Sequence, residues 1–223
     1  VRGTAQAYEQ GIVTSASLMV RWPEAKMAVG YARDHPDLSM GLHIDLGEWQ
    51  FRDGAWTPIY VVVAPEDAAA VQREVRAQLT KFRELAGKDP DHLDSHQHVH
   101  RSEPVASIVR GLSDELGIPL RDRSAQIRYS GDFYGRDAKG GPYPEAITVP
   151  SLVDLLGRLP AGLTELGCHP ASDLDIDSPY QSERLREVET LCAPAVSLAL
   201  LQHGIELCSF QDVDDLLQTQ PAA

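Results

Sequence analysis

Cysteine is scarce and unpatterned in this chain: Cys168, Cys192 and Cys208 are an odd number without a CxxC spacing, so neither a disulfide framework nor a four-cysteine zinc site is implied. A reducing, cytoplasmic setting is the expectation. No run of about 18 apolar residues occurs and the start has no charged-then-apolar leader, so neither a membrane span nor export is expected. Basic residues are also short, with 20 Lys and Arg against 33 Asp and Glu and a net charge of -13. That balance argues against a nucleic-acid partner, which requires a basic stripe to neutralise phosphates. Lys and Arg are scarce around the histidine motifs too, which speaks against clamping a phosphate. The chain opens on Val1-Arg2-Gly3 without an initiator Met and moves straight into a helix-like stretch.

What is there suits one sizeable α/β domain spanning residues 1–223, with 43% hydrophobic and 24% charged residues. Apolar spacing predicts strands near residues 16–20, 38–46, 92–96, 119–123, 163–169 and 206–210. Helices are expected after Pro23, over 65–86, 103–116 and 150–158, as one long helix over 180–203, and finally over 211–218. Residues 47–64 read as an irregular loop, and 130–144 as a longer loop over the site. Strands that alternate with helices or long loops imply βα units and a parallel sheet, open or closed as a barrel.

In such architectures the strand C-termini form the catalytic face. His43 lies towards the end of one strand, His96 ends another, Arg121 sits within a third and His169 ends a fourth. The densest signal is His92-Leu93-Asp94-Ser95-His96-Gln97-His98-Val99-His100, with four of the eight histidines in nine residues. The period of two sends His92, Asp94 and His96 to one side, and His98 and His100 with them if extension continues. Imidazoles beside a carboxylate suit zinc or a similar divalent ion, the alternative being histidines that hydrogen-bond among surface loops. His43 alone on an apolar strand reads equally as a core residue, and Arg121 as an ion-pair partner of Asp122 or as a group that orients substrate. Cys168 alternates away from His169 and reads as packing. Asp173, Asp175 and Asp177 alternate like a calcium loop but lack its central Gly and terminal Glu, and read as solvated.

The stretches GIVTSASLMV (11–20), GLHIDL (41–46), DHLDSHQHVH (91–100), PLRDR (119–123) and TELGCHP (164–170), with Tyr180, Arg184 and Leu191, together resemble the YdjC-like carbohydrate deacetylases, the chitooligosaccharide deacetylase family. The resemblance implies an irregular or incomplete (β/α) barrel of about seven parallel strands. It also implies hydrolysis of an acetyl group from an N-acetylated amino sugar, using one divalent metal ion, magnesium or zinc. Carried over, His43 and His96 are metal ligands, His169 an acid or base, and Arg121 and Asp94 orienting groups. His98, Phe133 and Tyr134 are expected to contact an oligosaccharide or smaller sugar substrate. Phe133 and Tyr134, like Tyr129, Tyr143 and Trp49, are sugar-stacking candidates that read equally as loop packing. The family's pattern begins with a strand ending in Asp-Asp-Phe-Gly that supplies a further ligand; this motif does not occur in the sequence, and the third donor is expected upstream of Val1. The alternative function is a non-catalytic sugar- or metal-binding protein. A homodimer is one expected assembly.

Overall fold

A computed structural model describes residues 1–52, 54–137, 140–172 and 180–219. In chain order the elements are α1 (Arg2–Gln10), β1 (Ser15–Leu18), α2 (Ala25–Asp34), β2 (Ser39–Ile44), β3 (Gly47–Arg52), β4 (Ala55–Val61), α3 (Ala68–Ala86), β5 (Leu93–Ser95), α4 (Val105–Leu116), β6 (Ile127–Ser130), α5 (Val149–Leu156), β7 (Leu163–Leu166), α6 (Ser182–Leu191), α7 (Pro194–His203) and α8 (Val213–Thr219). They divide between two compact units, Ser15–Ser124 with Phe210–Ala223, and Val1–Thr14 with Ala125–Ser209.

The first unit is built on the parallel sheet β1-β2-β5, extended by a single parallel bridge between Leu93 and Leu120. β2 and β5 are almost wholly buried, polar residues included, because helices cover the sheet. Leu42, Ile44 and Leu93 are wholly buried against Val71, Val75 and Phe82 of α3 and Val109 of α4. With Leu79, those α3 residues keep a three-or-four spacing that gives the helix its apolar stripe. Its ends are written locally: the Asp67 side chain accepts the Ala70 N–H, and Gly87 closes the helix in the left-handed conformation at φ 72°. Because β2 pairs with β5 in parallel, with His43 opposite Asp94 and Ile44 opposite Ser95, the two motif strands are adjacent and end together.

The second unit carries the parallel pair β6-β7 and its own core, in which Phe133, Ile147, Leu152, Leu191 and Val196 are buried. Mixed α/β architecture with parallel strands is therefore as expected, and no closed barrel of strands occurs among the described residues.

Four expectations are corrected. Residues 47–64 hold an antiparallel hairpin, β3-β4, rather than an irregular loop. The strand expected over 119–123 is one bridged residue: after Arg121 N–H donates to Leu93 O, Asp122 turns left-handed at φ 61° and the ladder stops, the next strand being β6. The helix expected over 180–203 is two, α6 and α7, because Pro194 has no N–H to continue the first and opens the second. Residues 206–210 form no strand; the Cys208 carbonyl is taken by the Thr14 hydroxyl at 2.7 Å, and the Phe210 N–H by the Ser15 hydroxyl at 3.3 Å.

Candidate active site

In the first unit, the β2-β5 register sets the His43 ring beside the Asp94 carboxylate. Nδ1 donates to Asp94 Oδ1 at 2.7 Å, and Arg121 Nη1 donates to Oδ2 at 2.7 Å. Asp94 is 1% exposed. Burial alone pushes its carboxyl up, but the His43 and Arg121 charges and the His43 hydrogen bond outweigh that and hold it far below the usual range. Arg121 thus anchors Asp94, and Asp122 is instead held by Arg101, whose Nε donates to Oδ2 at 2.7 Å. The bond at Nδ1 leaves Nε2 as the ring nitrogen of His43 available to a ligand.

His96 follows β5 directly, its ring centroid 5.8 Å from that of His43. Its Nε2 is buried without a hydrogen-bond partner; the Glu48 carboxylate, at 3.8 Å, is too far for one. A buried imidazole nitrogen with no hydrogen-bond partner is unfavourable in itself. Together with the available His43 nitrogen, it is the kind of donor pair a divalent ion satisfies, so the residues fit the metal that the resemblance implies.

The extended backbone ends at Ser95, one residue short of His96. His96–Arg101 is a turn of 3-10 helix in which Gln97 and His98 are left-handed, at φ 49° and 54°. The Gln97 amide takes both polar groups of the Trp49 backbone, accepting its N–H at 2.9 Å and donating to its carbonyl at 2.7 Å, and so ties β3 to the turn. His98 and His100 are redirected: they and Asp122 each offer a ligand atom within 4.8 Å of the others. Burial, aided in both cases by Arg101 and Arg121, pushes both imidazoles down to about 4. His92 is held by its packing. Its buried ring is stacked on Phe210 at 3.9 Å and paired with the Ser17 hydroxyl at 3.0 Å.

In the second unit His169 is exposed just after β7. Its backbone N–H donates to Glu187 Oε2, and the Tyr180 hydroxyl donates to Glu187 Oε1. Burial pushes the Glu187 carboxyl up to about 7, against the pull of those two bonds. Tyr134 stacks on Tyr180 at 4.9 Å and lies 5.2 Å from the His169 ring, so it stands beside the expected acid. Phe133 is corrected: it is 0% exposed within the core, so its ring has no face to offer a sugar. Cys168 packs on that core, as expected. Asp173, Asp175 and Asp177 lie outside the described residues. Glu48, Gln97 and Glu187 are not singled out by the sequence. Only the Asp53-Gly54 pair, a hairpin signal that would put Glu48 on a strand, points to one of them.

The fold and this geometry define an α/β protein with a histidine-carboxylate centre at the ends of parallel strands. The YdjC-like protein family model matches residues 1–202, and the chain belongs to that family. It is 29% identical to a carbohydrate deacetylase of Geobacillus stearothermophilus, with 94% of this chain and 90% of that one covered. It is 30% identical to a chitooligosaccharide deacetylase of Serratia marcescens, with 95% and 92% covered, and 31% identical to a carbohydrate deacetylase of Brevibacillus brevis at the same coverage. A crystal structure from Enterococcus faecalis V583, of a protein provisionally named for cellobiose-phosphate cleavage, superposes with a TM-score of 0.74 at 26% identity, covering 95% of this chain and 92% of the other.

Proposed function

We propose that this chain is a metal-dependent carbohydrate deacetylase that hydrolyses the acetamide of an N-acetylated amino sugar, such as an N-acetylglucosamine-containing oligosaccharide or glycolipid. The observation that carries the reading is the His43-Asp94-Arg121 chain beside a His96 nitrogen that has no hydrogen-bond partner, in a family with relatives named carbohydrate deacetylase and chitooligosaccharide deacetylase. His43 and His96 would hold the ion, magnesium or zinc, which when bound supplies Lewis acidity to the acetamide carbonyl and to water. Asp94 fixes the His43 tautomer and orientation, and Arg121 keeps Asp94 ionised and in place. His169 holds the proton that goes to the leaving amine, a role supported by the family resemblance and by its exposed position beside Tyr134. The incomplete (β/α) barrel implied by the resemblance belongs to the same reading.

The test is acetate release from di-N-acetylchitobiose by the metal-loaded protein. Stoichiometric acetate and free amine are expected; no acetate from this or several other N-acetylated sugars overturns the proposal.

A further inference from the structure

The turn after β5 carries a second group of donors, independent of the His43 and His96 pair. One atom each of His98, His100 and Asp122 lies within 4.8 Å of the other two. Donors around one zinc ion, at bond lengths of about 2.0–2.1 Å, stand roughly 3–4 Å apart, so a small contraction closes such a set. His98 and Asp122 are held at φ 54° and 61°, a conformation that non-glycine residues adopt at a cost.

His100 supplies the chemical argument. It is 0% exposed, its Nδ1 is 2.6 Å from the Ser95 hydroxyl, and that same oxygen accepts the His100 backbone N–H at 3.1 Å. Its Nε2 is buried with no hydrogen-bond partner. With the proton on Nε2, the ring buries a donor that meets no acceptor. With the proton on Nδ1, donated to Ser95, it buries a lone pair that meets no donor. A cation on Nε2 removes the conflict and leaves Nδ1–H on Ser95, the arrangement by which ligating imidazoles are ordinarily oriented. Asp122 is compatible with this role, because both Arg101 bonds fall on Oδ2 and Oδ1 can take another partner.

We propose that His98, His100 and Asp122 form a second divalent-cation site, of the two-imidazole, one-carboxylate type that suits zinc. It fastens the turn carrying His96 to the segment carrying Arg121. Four-coordinate zinc completes its set there with water.

Isothermal titration of the chelator-stripped full chain with zinc chloride tests it, using Asp122→Asn, His100→Gln and His43→Ala. Two equivalents are expected for the parent chain. Asp122→Asn and His100→Gln each lose the same one, and His43→Ala loses the other. A single equivalent that Asp122→Asn loses and His43→Ala keeps supports this site and overturns the His43-His96 ligand assignment instead. Wild-type stoichiometry and affinity in Asp122→Asn, or a single equivalent that only His43→Ala removes, overturns the second site. Asp122 is exposed and Asn tolerates the left-handed conformation, so the outcome does not depend on the His100 variant folding.

Discussion

His43 and Asp94 face each other across two parallel strands, and the 2.7 Å bond from Nδ1 to Oδ1 makes one residue the orienting group of the other. Register alone sets this pair. A slip by one residue would place Ile44 opposite the carboxylate and turn the imidazole to the other face of the sheet.

Asp94→Asn keeps the shape of the side chain and removes its charge. The amide offers a single acceptor to two donors, and Arg121 loses its counter-charge at a site where Asp94 is 1% and Arg121 14% exposed. Breaking a buried pair in this way costs about 3–5 kcal/mol. Loss of the orienting bond should lower turnover by roughly 10–100-fold. Urea midpoints and acetate release check the two effects separately; an unchanged midpoint removes the anchoring role given to Asp94.

The pairing of these two residues is partly legible in the sequence. GLHIDL is apolar enough to be a strand, and His92, Asp94 and His96 fall in phase with a period of two. What lies beyond His96 is not legible there, because left-handed backbone at Gln97 and His98 is a tertiary outcome that neither residue type announces. Arg121 stands next to Asp122 in sequence yet bonds Asp94, since the bridge between Leu93 and Leu120 brings Asp94 within reach. Glu187 reaches His169 across 18 residues from a helix that reads as an ordinary amphipathic one.

The two histidines assigned different duties should fail differently. His96→Ala removes a metal donor, so one equivalent of bound metal and turnover should vanish together. His169→Ala should keep the full metal content and lose about 10²–10⁴-fold in rate, the usual contribution of a general acid. Metal analysis beside acetate release distinguishes them; full metal content in His96→Ala would refute its ligand assignment.

Gly41→Ala tests whether His92 is a fixed part of the core. A Cβ there would lie 2.4 Å from His92 Nε2, and the ring cannot step aside because Phe210 stacks on it and Ser17 holds it. Overpacking of this kind costs typically 1–3 kcal/mol, that is, about that much lost stability by denaturant unfolding. Double replacement with His92→Ala should recover part of the loss, and no recovery would mean that the clash lies elsewhere.

Glu187 makes stability depend on pH in a defined direction. Its carboxyl is raised to about 7 in the folded protein, chiefly by burial, from 4.5. Between those values the folded state keeps a proton that the unfolded state has released, so the contribution to stability falls as pH rises through that window. A shift of that size corresponds to roughly 3 kcal/mol between pH 4 and pH 8. Glu187→Gln cannot titrate, so the difference in unfolding free energy between the parent chain and this variant should move against the parent as pH climbs from 4.5 to 7 and be flat outside it. The variant also loses an acceptor for either the His169 N–H or the Tyr180 hydroxyl, which lowers its stability at acid pH by about 1–3 kcal/mol. A difference independent of pH from 4 to 8 would show that Glu187 is ionised throughout, and the loop bearing His169 would then rest on a charged carboxylate rather than a neutral one.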